Sequence, residues 1–150
     1  MRVLVDGDAS PVKDETICLC QEFGVECIIY MDYSHEYESN YAKVIFCDKG
    51  ADSVDLKISN ECLKNDIVIT QDYGLATVIL AKGGKVLHNN GFIIDEKNID
   101  TLLESRYLGK KLRDKVRIKG PKKRTAEDNK NFSKALRNLL GGSYEQSSNF

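Results

Sequence analysis

A chain of 150 residues, 41% of them apolar, is sized for one globular domain with a real core, and no apolar run nears the roughly 18 residues that cross a bilayer. The N-terminus meets Asp6 and Asp8 too soon for the apolar stretch of a secretory signal, so a soluble, cytoplasmic protein is expected. The net charge of −1 hides an asymmetry: residues 1–103 hold 9 Lys and Arg against 18 Asp and Glu, whereas 104–137 hold 13 against 4, a split that points to RNA or another nucleic acid as partner, or to a basic segment folded over an acidic body.

Residues 2–6 form a short valine-rich run ending in Asp6, the pattern of a buried strand. Ser10-Pro11 reads as N-cap and first helical position, and Gly24 closes that helix. Val25 to Tyr30 is a second strand, 31–41 a polar, tyrosine-containing loop, and Val44 to Cys47 a third strand. Asp52 to Leu63 is an imperfect amphipathic helix, Ile67 to Thr70 the clearest central strand, Leu75 to Leu80 a buried helix, and Lys85 to Leu87 a fifth strand. Asp95 caps a helix to about Tyr107. A basic stretch from about 104 leads to Thr125-Ala-Glu-Asp128, a capping box that opens a helix to about Leu140 with Phe132, Leu136, Leu139 and Leu140 on one stripe. Residues 1–140 form the single domain, and the Gly/Ser/Asn-rich 141–150 is expected to be disordered. Alternating strands and helices with short links predict a three-layer α/β/α sandwich around a mostly parallel sheet.

The five cysteines are odd in number and contain no CxxC pair, which fits reduced, mostly buried thiols. His35 and His88 have no motif around them. The chemistry falls instead to aspartates, because ligand sites in open parallel sheets lie beyond the carboxyl ends of the strands. Asp6 and Asp8 follow the first strand, Asp72 follows Ile67–Thr70, and Asp52 and Asp55 stand three apart at a helix start. Clustered carboxylates repel, and Mg²⁺ or Mn²⁺ held by Asp6, Asp8, Asp52, Asp55 and Asp72 would offset that repulsion and support phosphoryl chemistry. Each acid also fits a plainer role: Asp52 and Asp72 as helix caps, Asp6 in a turn. Asp14, Glu15, Glu61 and Asp66 read as solvated.

Four segments carry a resemblance: Asp6-Gly-Asp-Ala-Ser-Pro-Val12, Gly50-Ala-Asp-Ser-Val-Asp55, Asn65 to Asp72 with Leu75-Ala76, and Arg124-Thr125 with Asp128 and Phe132. In order and over roughly 1–140 they resemble the bacterial YaiI/YqxD family, itself similar to PIN-like nuclease domains. Ser10, Gly7 and Asn90 depart from the cysteine, alanine and arginine that the family often has there. The resemblance implies a PIN-like sandwich with an acidic, metal-type pocket, in which Asp6 and Asp72 match the strand-end acids and Asp52 or Asp55 the helix acid. The expected function is therefore a divalent-metal-dependent ribonuclease or phosphodiesterase, with Asp6, Asp52, Asp55 and Asp72 catalytic. Lys122, Lys123 and Arg124 would position phosphates, and Tyr33, Tyr37 and Tyr41 would stack on bases. The alternatives are a non-catalytic RNA- or protein-binding module, and a haloacid-dehalogenase-like phosphatase using Asp6 and Asp8.

Overall fold

Among the described residues, six short strands build the sheet: β1 (Arg2–Asp6), β2 (Glu26–Asp32), β3 (Lys43–Cys47), β4 (Ile67–Ile69), β5 (Lys85–Leu87) and β6 (Ile93–Ile94). The computed structural model describes residues 1–8, 10–33, 36–48, 53–105 and 123–148, with side chains described as far as 141. The sheet order is β3-β2-β1-β4-β5-β6, parallel throughout except for β6, which runs antiparallel to β5. Strands covered on both faces have no polar side to show, which is why Val3, Leu4 and Val5 and then Ile67, Val68 and Ile69 run as unbroken apolar triplets, all fully buried.

Among the described residues, five helices cover the sheet: α1 (Lys13–Phe23), α2 (Ser53–Glu61), α3 (Tyr73–Ala81), α4 over 99–105, and α5 (Ala126–Ser148). Alternate strand residues sort the core into two layers. Val3, Val5, Ile29, Ile67, Ile69 and Leu87 meet Leu19 and Cys20 of α1 and Phe132, Leu136 and Leu140 of α5. Leu4, Ile28, Tyr30, Val68 and Val86 meet Val54 and Ile58 of α2, Leu75 and Ile79 of α3, and Ile99 of α4. The fold is thus the predicted three-layer α/β/α sandwich. No helix among the described residues is long and apolar enough to cross a membrane.

Local signals largely hold. Gly24 ends α1 in the left-handed region (φ 67°), with its own N–H on Gln21 O and that of Val25 on Cys20 O. The Thr125–Asp128 capping box forms in both directions, at 2.9 and 3.3 Å. The stripe on α5 packs as predicted, with Leu139 partly buried beside the other three. All five cysteines are free, and only Cys18 is exposed.

Several expectations are corrected. Ser10 does not cap α1. Its hydroxyl accepts from the Val12 N–H two residues on, a turn geometry, and the helix begins at Lys13. The second strand continues through Met31 and Asp32 because their backbones pair with Phe46 and Cys47 of β3. β6 escapes prediction because two residues carry no period. A turn closed by Gly91 (φ 92°) sets it, where a Cβ would come within 2.4 Å of the Asn131 carbonyl carbon on α5. α5 continues past Leu140 to Ser148, and Gly141 lies beside the Phe23 ring of α1. Asp66 is not solvated: it is 2% exposed and bound by Arg2.

Candidate active site

The strand order reverses between β1 and β4, so the segments leaving their carboxyl ends diverge and open a crevice there. Asp6 closes β1 on the face shared with Leu4, and Thr70 follows β4 on the face shared with Val68. Their side chains meet: Thr70 Oγ1 donates to Asp6 Oδ2 at 2.9 Å and accepts from the Asp72 N–H at 3.0 Å. Asp72 in turn accepts from the Leu75 N–H at 3.1 Å, capping α3, as its plainer reading anticipated. Gly7 makes the exit from β1 possible. Its N–H bonds Tyr30 O, and a Cβ would lie 2.8 Å from that same oxygen. Asp8 then reaches the end of β2, where its Oδ1 accepts from the Asp32 N–H at 2.9 Å.

The electrostatics follow from this placement. Burial pushes the Asp6 carboxyl above the ordinary carboxylate value, the Thr70 hydrogen bond opposes it, and the carboxylates of Asp72 and Asp8 push it further up. Asp6, Asp8 and Asp72 are therefore brought into one electrostatic neighbourhood at the switch point. Asp55 lies in the first turn of α2. Asp52 and Lys122 lie outside the described residues. Lys123 is exposed. Arg124 is committed internally: Nε donates to Asn129 Oδ1 at 2.7 Å, Nη1 to Asn90 Oδ1 at 2.7 Å and Nη2 to Asn89 O at 2.8 Å.

Residues 4–142 match the profile of the family described as "Uncharacterized BCR, YaiI/YqxD family". The chain belongs to the YaiI/YqxD family. Similar relatives are the UPF0178 proteins of Natranaerobius thermophilus, 46% identical over 93% of this chain and 96% of that one, and of Ruminiclostridium cellulolyticum, 46% identical over 91% and 90%. A third, from Clostridium tetani, is 43% identical over 94% of this chain and 97% of its own length. Among solved structures, the crystal structure of Rae1 (YacP) from Bacillus subtilis covers 95% of this chain and 99% of its own at 17% identity and a TM-score of 0.41, too loose a likeness to carry an argument.

In this YaiI/YqxD protein one group escaped the sequence reading. His88 follows β5 as Thr70 follows β4, and the Thr70 N–H to Leu87 O bond carries the β4–β5 ladder to that level. Asp6, Thr70 and His88 thus form one row across the switch point, on the α3 side of the sheet. His88 is 8% exposed, stacks on Phe92 at 4.2 Å between ring centroids, and lies 6.3 Å from Tyr73. Burial, reinforced by Arg124, lowers its pKa to about 4, so the ring is neutral at pH 7. Its Nδ1 accepts from the Asn90 N–H, which puts the proton on Nε2. The signal that finds it is positional: it is the first residue beyond a central strand, just as Thr70 is.

Among the described residues, no three His, Cys, Asp or Glu side chains stand together as a ready ligand set for a metal ion. The cluster is still compatible with Mg²⁺ or Mn²⁺. These hard ions take oxygen donors, and Mg²⁺ commonly uses only one or two carboxylates, with waters and substrate phosphate completing the shell. A partly buried carboxylate pushed up by desolvation and two like charges is the kind of donor that a cation would stabilise.

Proposed function

We propose that this protein is a PIN-like, divalent-metal-dependent phosphodiesterase that acts on nucleic acid, RNA above all, in the cytoplasm. The observation that carries the reading is the row at the switch point, with a partly buried Asp6 locked by Thr70 beside Asp72 and Asp8. Asp6 and Asp72 would hold Mg²⁺ or Mn²⁺, with Asp8 adding negative charge nearby. Asp52 and Asp55 stay as further acids of the site in this reading. The ion, when bound, supplies Lewis-acid stabilisation of the phosphate charge.

The chain's own residues do the rest. Thr70 fixes the Asp6 carboxylate in one orientation, so little rearrangement is needed when substrate arrives. Asp72 is anchored by the start of α3 through its Oδ1. His88 holds its proton on Nε2 in the same row as a neutral donor for a phosphate or leaving oxygen. Lys123 is the cation of the basic cluster suited to phosphate contact, whereas Arg124 fastens the turn before β6 to α5. Free thiols throughout agree with a reducing compartment.

The test is calorimetric Mn²⁺ titration together with cleavage of single-stranded RNA, wild type beside Asp6→Asn and Asp72→Asn. Asparagine caps a helix as well as aspartate does, so Asp72→Asn removes the charge and keeps the cap. Loss of stoichiometric Mn²⁺ binding with at least a ~100-fold fall in turnover, roughly the scale of losing one transition-state contact, supports the reading. RNA binding that survives both substitutions, without turnover in the wild type, would instead make the protein a binding module.

A further inference from the structure

Of the three tyrosines expected to stack on bases, two are already engaged. Tyr37 donates its hydroxyl to Asp14 at 2.8 Å beneath the Lys13 ammonium, and Tyr41 donates to Val25 O at 2.7 Å. Both pack on the α1 core. Tyr33 differs. It follows the last residue of β2, is 64% exposed, and stacks on Phe46 of the edge strand β3, with ring centroids 6.0 Å apart and planes 17° apart. Phe46 is itself 37% exposed. Two near-parallel aromatic rings open to water leave apolar area uncovered and offer a flat π surface.

The surroundings mix apolar groups with ones that a nucleotide can use. The cleft beside the pair is lined by Asp48, Ser53, Lys57 and Asn60 as well as Leu56. These supply acceptors and donors for base edges and one ammonium for a phosphate. Lys57 shares that ammonium with Glu61 at 3.2 Å and remains half exposed. The pair is also joined to the acidic row. Asp8, two residues beyond Asp6, holds the N–H of Asp32, the residue immediately before Tyr33. β3 lies two strands from β1 in the sheet, about 10 Å at the usual strand spacing. Phe46, paired with Met31, is on the α1 face whereas Asp6 is on the α3 face, so a nucleic-acid strand joining them crosses the carboxyl edge of the sheet.

We infer that Tyr33 and Phe46 form a stacking platform for an unpaired base of the single-stranded nucleic acid whose phosphodiester enters the Asp6–Asp72 row. The inference rests on the phosphodiesterase reading for its ligand class and deepens it: the substrate is single-stranded, because a base inside a duplex has both faces occupied. A π surface reads no sequence, so RNA and DNA strands both bind the platform.

The experiment measures fluorescence anisotropy of a labelled single-stranded oligoadenylate and of its duplex with oligouridylate. Ca²⁺ replaces Mn²⁺, and cleavage is followed separately in Mn²⁺. Full-length wild type, Tyr33→Ala, Tyr33→Phe and Asp6→Asn are compared, with sedimentation velocity on each. Tyr33 is exposed, so its alanine variant folds. Tyr33→Ala is expected to bind the single strand roughly 5- to 100-fold more weakly, the range for removing one base–aromatic stack, while Tyr33→Phe restores binding and the duplex binds more weakly than the strand. Equal affinity of Tyr33→Ala and wild type overturns the platform and leaves the nuclease reading standing if Asp6→Asn still abolishes cleavage. A Tyr33-dependent affinity without cleavage by the wild type keeps the platform and removes the nuclease. No single-strand binding by the wild type overturns the platform, as does an effect of Tyr33→Ala confined to the sedimentation coefficient, which would make the pair a contact between copies of the chain.

Discussion

β1 and β4 lie side by side, and an aspartate sits at each end of the pair. At the amino ends, Asp66 is buried against Arg2. It accepts from the Arg2 N–H, Nε and Nη2, the last at 2.7 Å, and from the Leu63 N–H at 2.9 Å. Burial alone would push its carboxyl up, but the hydrogen bonds from Arg2 and Leu63 outweigh it and hold Asp66 below the ordinary value. At the carboxyl ends, Asp6 is partly buried, the groups acting on it include the Thr70 hydroxyl and two carboxylates, and it is shifted up. The same residue type at the two ends of these strands is held below its ordinary value by an arginine at one end and pushed above it by burial and neighbouring carboxylates at the other. The end held by arginine is structural. The other end is the one where the proposed cation would relieve the repulsion.

Substitution separates the two ends most sharply. Asp66→Ala leaves the Arg2 guanidinium without its partner and opens a buried site, and is expected to cost about 3 kcal/mol, the scale for breaking one side of a buried pair. Asp6→Asn is expected to leave stability unchanged or slightly raised at pH 7, because it removes a carboxylate that the fold holds above its ordinary pKa, while cleavage is lost. Urea titrations of both variants check this. A large loss of stability in Asp6→Asn would make the upper acid structural as well and erase the contrast.

The local half of this picture was legible in the sequence. Strand-end aspartates, the Asp72 cap, the Thr125 capping box and the apolar triplets each follow from a few neighbouring residues. What escaped depends on partners far apart in the chain. Thr70 meets Asp6, and Arg2 meets Asp66, each across 64 positions. Strand order creates both contacts, and no local pattern announces strand order. Asp66 read as solvated because its arginine is remote, and Arg124 read as a phosphate ligand because Asn89 and Asn90 are remote. His88 escaped for the same reason: a histidine gains meaning here only from the row that β1, β4 and β5 form together.

Acid sharpens the comparison further. His88 has a folded pKa of about 4 against 6.5 unfolded, so the unfolded chain takes up its proton first. Its contribution to stability is complete above pH 6.5 and is lost as pH falls from 6.5 toward 4. Asp66, with its pKa lowered, holds its contribution above the ordinary carboxylate value and gives it up only as pH falls through its depressed one. Asp6, shifted up, has the opposite sign and is relieved by protonation. Denaturation midpoints between pH 7 and 4.5 should therefore fall in the wild type and flatten in His88→Gln, with Asp66→Asn changing the slope only below that range. A slope in His88→Gln equal to that of the wild type would show the ring to be as solvated in the fold as out of it.

The smallest effect tests the basic end against the acidic one. Arg124 gives all three nitrogen positions to Asn89, Asn90 and Asn129, and it is one of the groups that keep His88 neutral. Arg124→Ala is expected to lower stability by about 1–2 kcal/mol, the scale of hydrogen bonds made by a charged group, and to raise the His88 pKa observed by NMR titration. Lys123 makes no such commitment. Lys123→Ala should leave stability within about 0.5 kcal/mol and instead reduce the slope of log affinity against log salt for a single-stranded oligonucleotide by about 0.7, the value for one lost phosphate contact. If the two neighbours exchange roles, with Arg124→Ala changing the salt slope and sparing the fold, then the turn before β6 opens when nucleic acid binds, and the guanidinium is a phosphate ligand held in reserve.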